Sequence, residues 1–497
     1  MSAPAAATQG PPPGLDRASP YAHYLWHLHD AGVLRLAHEA GPVPGRVPRY
    51  RVEGAVWDDL YREGVAPSLV AVIDNGCSTT HPHLPPGEAL IEAPCFASHD
   101  FGAIHGVAPG AEDDPALPAA GREGARNHFA AAAEREPRFW RRVEALASNG
   151  ERHAPMDRLR GVIADLRETP GVVREVASYA EDFPVHGTLT AGLIAARPPT
   201  GRGEALPYFG VAPRARVLAL NTALRPDFRG LIHALLFAAG MGADVLCVPR
   251  AIWRPDPHEE EPDPHRPDDP RASRLDTDHR LQVDAALFEV ALHVLAERVP
   301  VFLAAGNNGF ARTQVYPALL AREGNGLISV GALSGRGDVA GYSNTGGVTV
   351  FAPSDDAEAW DRAQRRLDPH GRASREHALP AAAEPGQRVA EASGWGVLST
   401  DVPGAFGDAS GGMEPHARGE PDTQRSLFAP FGGTSAACAI AAGVASLLQA
   451  KRRARGEAPL TGPEMKRHLR AHCPRVSDLP TGEPVLRIDA AACLAAL

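Results

Sequence analysis

The sequence predicts an α/β fold, a doubly wound and mostly parallel sheet with helices on both faces and charged insertions between its elements. Three observations carry that prediction. Apolar runs of strand length recur along the chain, SLVAVIDNG, ARVLALNTA, ADVLCVP, PVFLAAGNNG and GLISVGALS. Longer apolar runs of helical length lie between several of them, HGTLTAGLIAA, LIHALLFAAGMG and LQVDAALFEVALHVLAERV, and strand alternating with helix implies parallel strands covered on both sides. The 47 prolines concentrate in charged stretches and spare the apolar runs, so packed core and solvated loop are separated along the chain.

Taken in order, residues 1–65 form an N-terminal arm rich in Pro and Ala, with one helix predicted in YAHYLWHLHDAGVLRLAHEA. One domain spans residues 66–497. Its first strand, Leu69–Ile73, ends on Asp74 and a turn. An insertion at about 88–182 is charged, and FWRRVEALAS and RLRGVIADLRE within it carry the spacing of amphipathic helices. Strands and helices then alternate up to ADVLCVP, with Gly242 closing the second helix. The acidic, Pro-rich stretch at about 251–280 reads as a solvated loop, and a second polar interruption covers about 355–392. The chain ends with the apolar run FGGTSAACAIAAGVASLL and a last helical pair in MKRHLRAHC and DAAACLAAL.

Composition narrows the function classes. With 50 basic and 60 acidic residues in 497 the formal charge is -10, and no basic stripe is present to track a phosphate backbone, so nucleic acid is not an expected partner. No run reaches the roughly 18 apolar residues of a membrane span, and MSAPAAATQGPPPGLDRASPY lacks a basic start followed by an apolar block, so no membrane partner is expected either. The six cysteines are scattered without CxxC spacing, several within apolar runs, which fits a reducing cytoplasm. His, Asp and Glu in DPHEEEPDPH show no spacing that selects a metal and read as a solvated charge run.

Four residues are candidates for chemistry, each with a plainer alternative. Asp74 closes a strand where α/β sheets place ligands, or starts a turn. His186 opens a small-residue helix, as a base or as a structural residue. Asn307 follows a strand where its amide faces a developing oxyanion, or makes the NNG turn. Ser435 lies at a helix start whose backbone N–H groups favour a negative oxygen, or caps that helix. Together they give the order Asp, His, Ser used by one hydrolase arrangement.

The local words around these residues settle on a family. VAVIDNG, HGTLTAGLIAA, FGVAPRARVLAL, FLAAGNNG, Tyr316-Pro317-Ala318, LISVGAL, GYSNTGG, VTVFAPS and GGTSAACAIAAGVASLL resemble, in this order, the motifs of the subtilisin-like serine peptidases. The resemblance implies a triad of Asp74, His186 and Ser435 with Asn307 as oxyanion-hole donor. It implies a serine endopeptidase that cleaves a peptide or protein substrate through an acyl-enzyme, with no redox or nucleotide cofactor. Calcium is common in the family, but no EF-hand-like loop is present. Gly433 is expected to let substrate backbone approach the nucleophile.

The chain also departs from that pattern. About a hundred residues separate Asp74 from His186, more than a compact member needs. Where the family has a Ser/Gly-rich wall to its specificity pocket, this chain has CVPRAIWRP. Val248, Pro249 and Arg250 are therefore the expected substrate-binding residues. Pro249 cannot donate to a substrate strand, and Arg250 is either a reader of acidic substrate groups or a surface arginine. Ala439 stands where the family commonly has proline. These departures admit two alternatives, a dedicated peptide-processing protease or ligase and an inactive peptide-binding scaffold.

Overall fold

The computed structural model describes residues 25–38, 50–57, 60, 67–91, 93–94, 96, 128–148, 154–168, 185–199, 208–222, 226, 228–252, 275–335, 337–355, 397–403, 427–478 and 483–497. The chain begins with a short helix α1 (Trp26–Asp30) and an antiparallel pair, β1 (Leu34–His38) and β2 (Tyr50–Ala55). The single helix expected over this segment is thus corrected. Gly32, at φ +69°, takes the left-handed turn that ends a helix. Beyond it Leu34 and Leu36 are buried while Arg35 is exposed, the two-residue period of a strand.

The sheet elements follow as β3 (Leu69–Asp74), β4 (Leu90–Ile91), β5 (Arg216–Asn221), β6 (Val245–Val248), β7 (Val301–Ala304), β8 (Leu327–Leu333) and β9 (Val350–Pro353). They form one seven-stranded sheet in the order β4-β5-β3-β6-β7-β8-β9. Every strand-to-strand register within it is parallel. After β3 the chain adds β4 and β5 on one side of it and β6 to β9 on the other, so the switch point lies beside β3, where open α/β sheets bind ligands.

Strand parity shows that both faces are covered. Val70, Val72, Val217, Cys247 and Phe302 belong to one apolar cluster, and their neighbours Ala71, Ile73, Leu218, Leu246, Val301 and Leu303 belong to another. The second cluster is closed by the inserted helices α2 (His128–Arg135), α3 (Phe139–Ser148) and α4 (Ala154–Glu168), together with α6 (Phe228–Met241) and α7 (Leu275–Ala296). The first is closed by α5 (Val185–Ala195), which precedes α6, and by α8 (Gly433–Ala454). In α8 every residue from Ala436 to Ala450 is buried. Among the described residues α8 is also the one helix long and apolar enough to cross a membrane, a property missed in the sequence, and here it fills the core beside the sheet.

A second antiparallel pair, β10 (Leu398–Thr400) and β11 (Phe428–Pro430), leads into α8. β10 also fastens α5: the Ser399 hydroxyl donates to the Leu189 carbonyl at 2.6 Å and the Thr400 hydroxyl to the Thr188 carbonyl at 2.8 Å. The predicted last helices are α9 (Gly462–His472), whose Thr461 and Glu464 form a capping box, and α10 (Ala490–Ala495). Between them lies a pair, β12 (Arg475–Asp478) and β13 (Pro484–Leu486). The N-terminal segment docks here, since the N–H groups of Ala490 and Ala491 donate to the carbonyls of Ala31 and Gly32 at 2.8 and 3.1 Å. DPHEEEPDPH and most of the polar stretch at 355–392 lie outside the described residues.

Candidate active site

Asp74 is the last residue of β3 and is almost fully buried, with a relative exposure of 1%. His186 is the second residue of α5. The helix comes close enough because position 187 is glycine: a Cβ there would lie 1.8 Å from the Gly76 carbonyl oxygen, on the turn that follows Asp74. Nδ1 of His186 then meets Oδ2 of Asp74 at 2.6 Å. The other carboxylate oxygen accepts the Asn75 N–H at 2.9 Å. Asn75 also reaches across, its Oδ1 accepting the Gly187 N–H at 2.9 Å. Burial alone would raise the Asp74 carboxyl. The His186 charge and hydrogen bond, the Arg250 guanidinium and the Asn75 N–H together outweigh it and hold the group below the usual carboxylate range.

Ser435 and Asn307 come together on the other side. Ser435 is the third residue of α8, and Gly432 is the N-cap, without a side-chain cap bond. The expectation that Ser435 caps the helix is therefore corrected: the helix starts two residues earlier and presents the serine from inside its first turn. Its hydroxyl donates to the Pro249 carbonyl at 2.5 Å. Asn307 follows β7 and is exposed. Its Oδ1 accepts both the Thr434 N–H at 2.8 Å and the Thr434 hydroxyl at 2.9 Å. With its carbonyl oxygen anchored in this way, the amide NH2 faces away from Thr434. Gly433, at φ +73°, has a local reason to be glycine, because a Cβ there would lie 2.6 Å from Nδ2 of Asn307.

Val248 ends β6 and is buried in the core, so its side chain is a packing residue in this structure. Pro249 is buried too, and its carbonyl holds the Ser435 hydroxyl. Arg250 does not lie on the surface. Its side chain is only 9% exposed, and its guanidinium sits 3.6 Å from Oδ1 of Asp74, an ion pair that points inward. Two residues on, the Ile252 N–H is fixed to the Tyr316 carbonyl at 2.8 Å.

Several supporting residues carried no role in the sequence reading. Asn344, inside GYSNTGG, is buried and shapes the loop that bears Asn307, accepting the N–H groups of Asn308 and Phe310 at 3.2 and 2.8 Å and donating to the Ala305 carbonyl at 2.9 Å. Asp355 holds the Gly433 N–H at 3.0 Å and receives the Tyr342 hydroxyl at 2.7 Å, while the Ser354 hydroxyl donates to the Gly433 carbonyl at 2.8 Å. The words GYSNTGG and VTVFAPS were the available signal. Among the described residues no group of three or more His, Cys, Asp or Glu side chains could hold a metal ion.

The arrangement sets an imidazole on a buried carboxylate and places a hydroxyl at the first turn of a helix, beside an amide that can donate to an anion. No curated relative matches the chain. In fold it is similar to the crystal structure of a lanthipeptide protease, at 16% identity, TM-score 0.48 and 99% coverage of both chains. It is also similar to the nisin leader peptidase NisP of Lactococcus lactis, at 15% identity and TM-score 0.45 over 86% of this chain and 87% of that one. A third is the epidermin leader peptide processing serine protease EpiP of Staphylococcus aureus, at 14% identity and TM-score 0.47 over 96% of this chain and 82% of that one. The family model Peptidase_S8, the subtilase family, matches residues 67–478, most of the length of the chain, and on that match the chain belongs to the subtilase family of serine peptidases.

Proposed function

We propose that the chain is a serine endopeptidase that hydrolyses peptide bonds through an acyl-enzyme, with Asp74, His186 and Ser435 as its triad and Asn307 in its oxyanion hole. The observation that carries this reading is the 2.6 Å bond from His186 Nδ1 to buried Asp74, in a subtilase whose Ser435 stands at the first turn of the core helix. The serine hydroxyl leaves the Pro249 carbonyl and gives its proton to Nε2 of His186 as Oγ bonds to the scissile carbonyl carbon. Asp74 holds the proton of Nδ1 in place and stabilises the imidazolium that forms. The tetrahedral oxyanion accepts the Asn307 amide and the Ser435 N–H, a first-turn group with no helical carbonyl four residues back. His186 then protonates the leaving amine as the C–N bond breaks, and water releases the acyl group by the same steps in reverse roles.

The substrate is a peptide or protein strand laid along the segment after β6, and no redox or nucleotide cofactor enters these steps. A cytoplasmic location is supported by the thiols. Cys247 and Cys438 have their sulfurs 3.8 Å apart and Cys473 and Cys493 3.7 Å apart, all free. A reducing compartment keeps such neighbours as thiols.

A fluorophosphonate probe tests the proposal. Wild type should label and Ser435→Ala should not, with peptidase activity lost by roughly a millionfold, the size measured for the nucleophile of a subtilisin. An unlabelled wild type would instead identify an inactive peptide-binding scaffold. Labelling with transfer of the acyl group to an added amine rather than to water would identify the ligase alternative.

A further inference from the structure

Arg250 reaches a place that the catalytic steps above do not use. Asp74 offers two oxygens: Oδ2 receives the imidazole of His186, and the guanidinium of Arg250 lies 3.6 Å from Oδ1. The backbone around Arg250 is held on both sides, at Pro249 by the Ser435 hydroxyl and at Ile252 by the Tyr316 carbonyl. An arginine stem 9% exposed and pinned in this way has little freedom to swing out to a substrate.

We propose that Arg250 is a positioning residue for the peptidase reaction: beside the Asp74 oxygen opposite the imidazole, its cation keeps that carboxylate ionised and aimed at His186 and extends the working range of the enzyme toward acid. The inference rests on the triad reading given above and adds a residue to it. The sign follows from the charges. Burial favours the protonated, neutral Asp74 carboxyl, which cannot hold the imidazole as an anion does. A cation beside a carboxylate favours its ionised form, and Arg250 is among the groups that hold Asp74 below the usual carboxylate range, so the anion that orients the imidazole persists to lower pH.

The other groups around the pair do not compete for this role. From β3 and its turn come Asp74 itself and Cys77, whose thiol is pushed up to about 12, chiefly by burial and further by the Asp74 charge. From β6 comes Cys247, held well above the usual thiol range by burial, by Cys438 and by Asp74. Both thiols are neutral at working pH. From the approach to α8, Phe431 sets its ring edge-on to His186 with centroids 5.2 Å apart, an apolar contact. Among the described residues, the cations acting on Asp74 are His186 and Arg250.

The test is the pH profile of kcat/KM for wild type, Arg250→Met, Arg250→Gln and Arg250→Lys, on one neutral and one acidic peptide, with fluorophosphonate labelling as the control. The neutral variants should have their acidic limb moved upward by roughly one pH unit on both peptides, the low end of what one neighbouring charge does to a titrating group. Arg250→Lys should keep its limb close to wild type. A limb that stays in place while rates fall equally at every pH overturns the proposal in favour of a packing role. Loss confined to the acidic peptide overturns it in favour of substrate reading. If neither neutral variant folds, Arg250→Lys decides alone, since a limb displaced by a full unit with the cation retained is incompatible with the proposal. A wild type that does not label removes the triad reading itself, and this inference with it.

Discussion

The two halves of the candidate site are built to different standards of rigidity. Asp74 and His186 sit on a strand end and a helix that the sheet and β10 lock together, and their contact is already at 2.6 Å. Ser435 and Asn307 sit on a helix turn and an exposed loop, and the serine hydroxyl is turned to the Pro249 carbonyl instead of toward a base. On the proposed triad, the proton-handling half is therefore finished before substrate arrives. On the same reading the nucleophile half still has to turn the Ser435 hydroxyl away from the Pro249 carbonyl. Preorganisation is concentrated around the buried Asp74 carboxylate, because reorganising the partners of a buried charge costs far more than turning one side chain.

Asp74→Asn breaks the finished half and should have the larger effect. The Asn75 N–H holds Oδ1, so an asparagine would keep its carbonyl oxygen there and turn its NH2 toward Nδ1 of His186. The imidazole would then carry its proton on Nε2 and could not accept one from Ser435. A fall of about 10⁴-fold in kcat, the size seen for the same change in another serine peptidase, is expected at neutral pH with the fold intact. Activity within tenfold of wild type would show that the half is not preorganised by Asp74.

Asn307 tests the other half, and the choice of variant matters because its oxygen and its nitrogen do different work. Asn307→Asp keeps an acceptor for the Thr434 N–H and hydroxyl but replaces the amide donor with a carboxylate oxygen. Thermal stability should stay close to wild type while kcat falls about 10² to 10³-fold and KM changes little, the pattern of a donor used only in the transition state. Asn307→Ala removes the anchor as well, so it should lose stability in addition to rate. Equal loss of rate and stability in the aspartate variant would mean that Asn307 is only a turn residue.

These differences also explain what could be read from the chain alone. The parallel sheet was legible because strands buried on both faces are apolar at both parities, as Val70 to Ile73 are. The places of Asp74, His186, Asn307 and Ser435 at the ends of elements were legible because each lies within a recognisable word. The inward ion pair of Arg250 was not, because it depends on which way a side chain turns after the end of β6. Its neighbour Pro249 signals only that the strand stops donating there. The strand at Leu34–His38 was misread since five residues of alternating pattern beside a real helical turn look like that helix continued. The start of α8 was misplaced because a serine before an apolar run is a good cap by composition, whereas here two glycines take the turn first.

The smallest effect should come from Thr190, which lies inside the finished half yet contributes little to it. Its hydroxyl is 3.4 Å from Oδ2 of Asp74 and 2.9 Å from the His186 carbonyl, four residues back on the same helix. One proton serves one of these well, and the shorter, local contact is the usual choice for a helical threonine. Oδ2 then depends on the imidazole, and the threonine mainly fills space in a fully buried position. Thr190→Val keeps that shape and should change kcat/KM by less than about threefold, under 1 kcal/mol, with the acidic limb of the pH profile in place. A loss of tenfold or more, with a displaced limb, would mean that the hydroxyl moves onto Asp74 as the imidazolium forms. The proton-handling half would then also need a rearrangement during the reaction, and the contrast between the two halves would be one of degree.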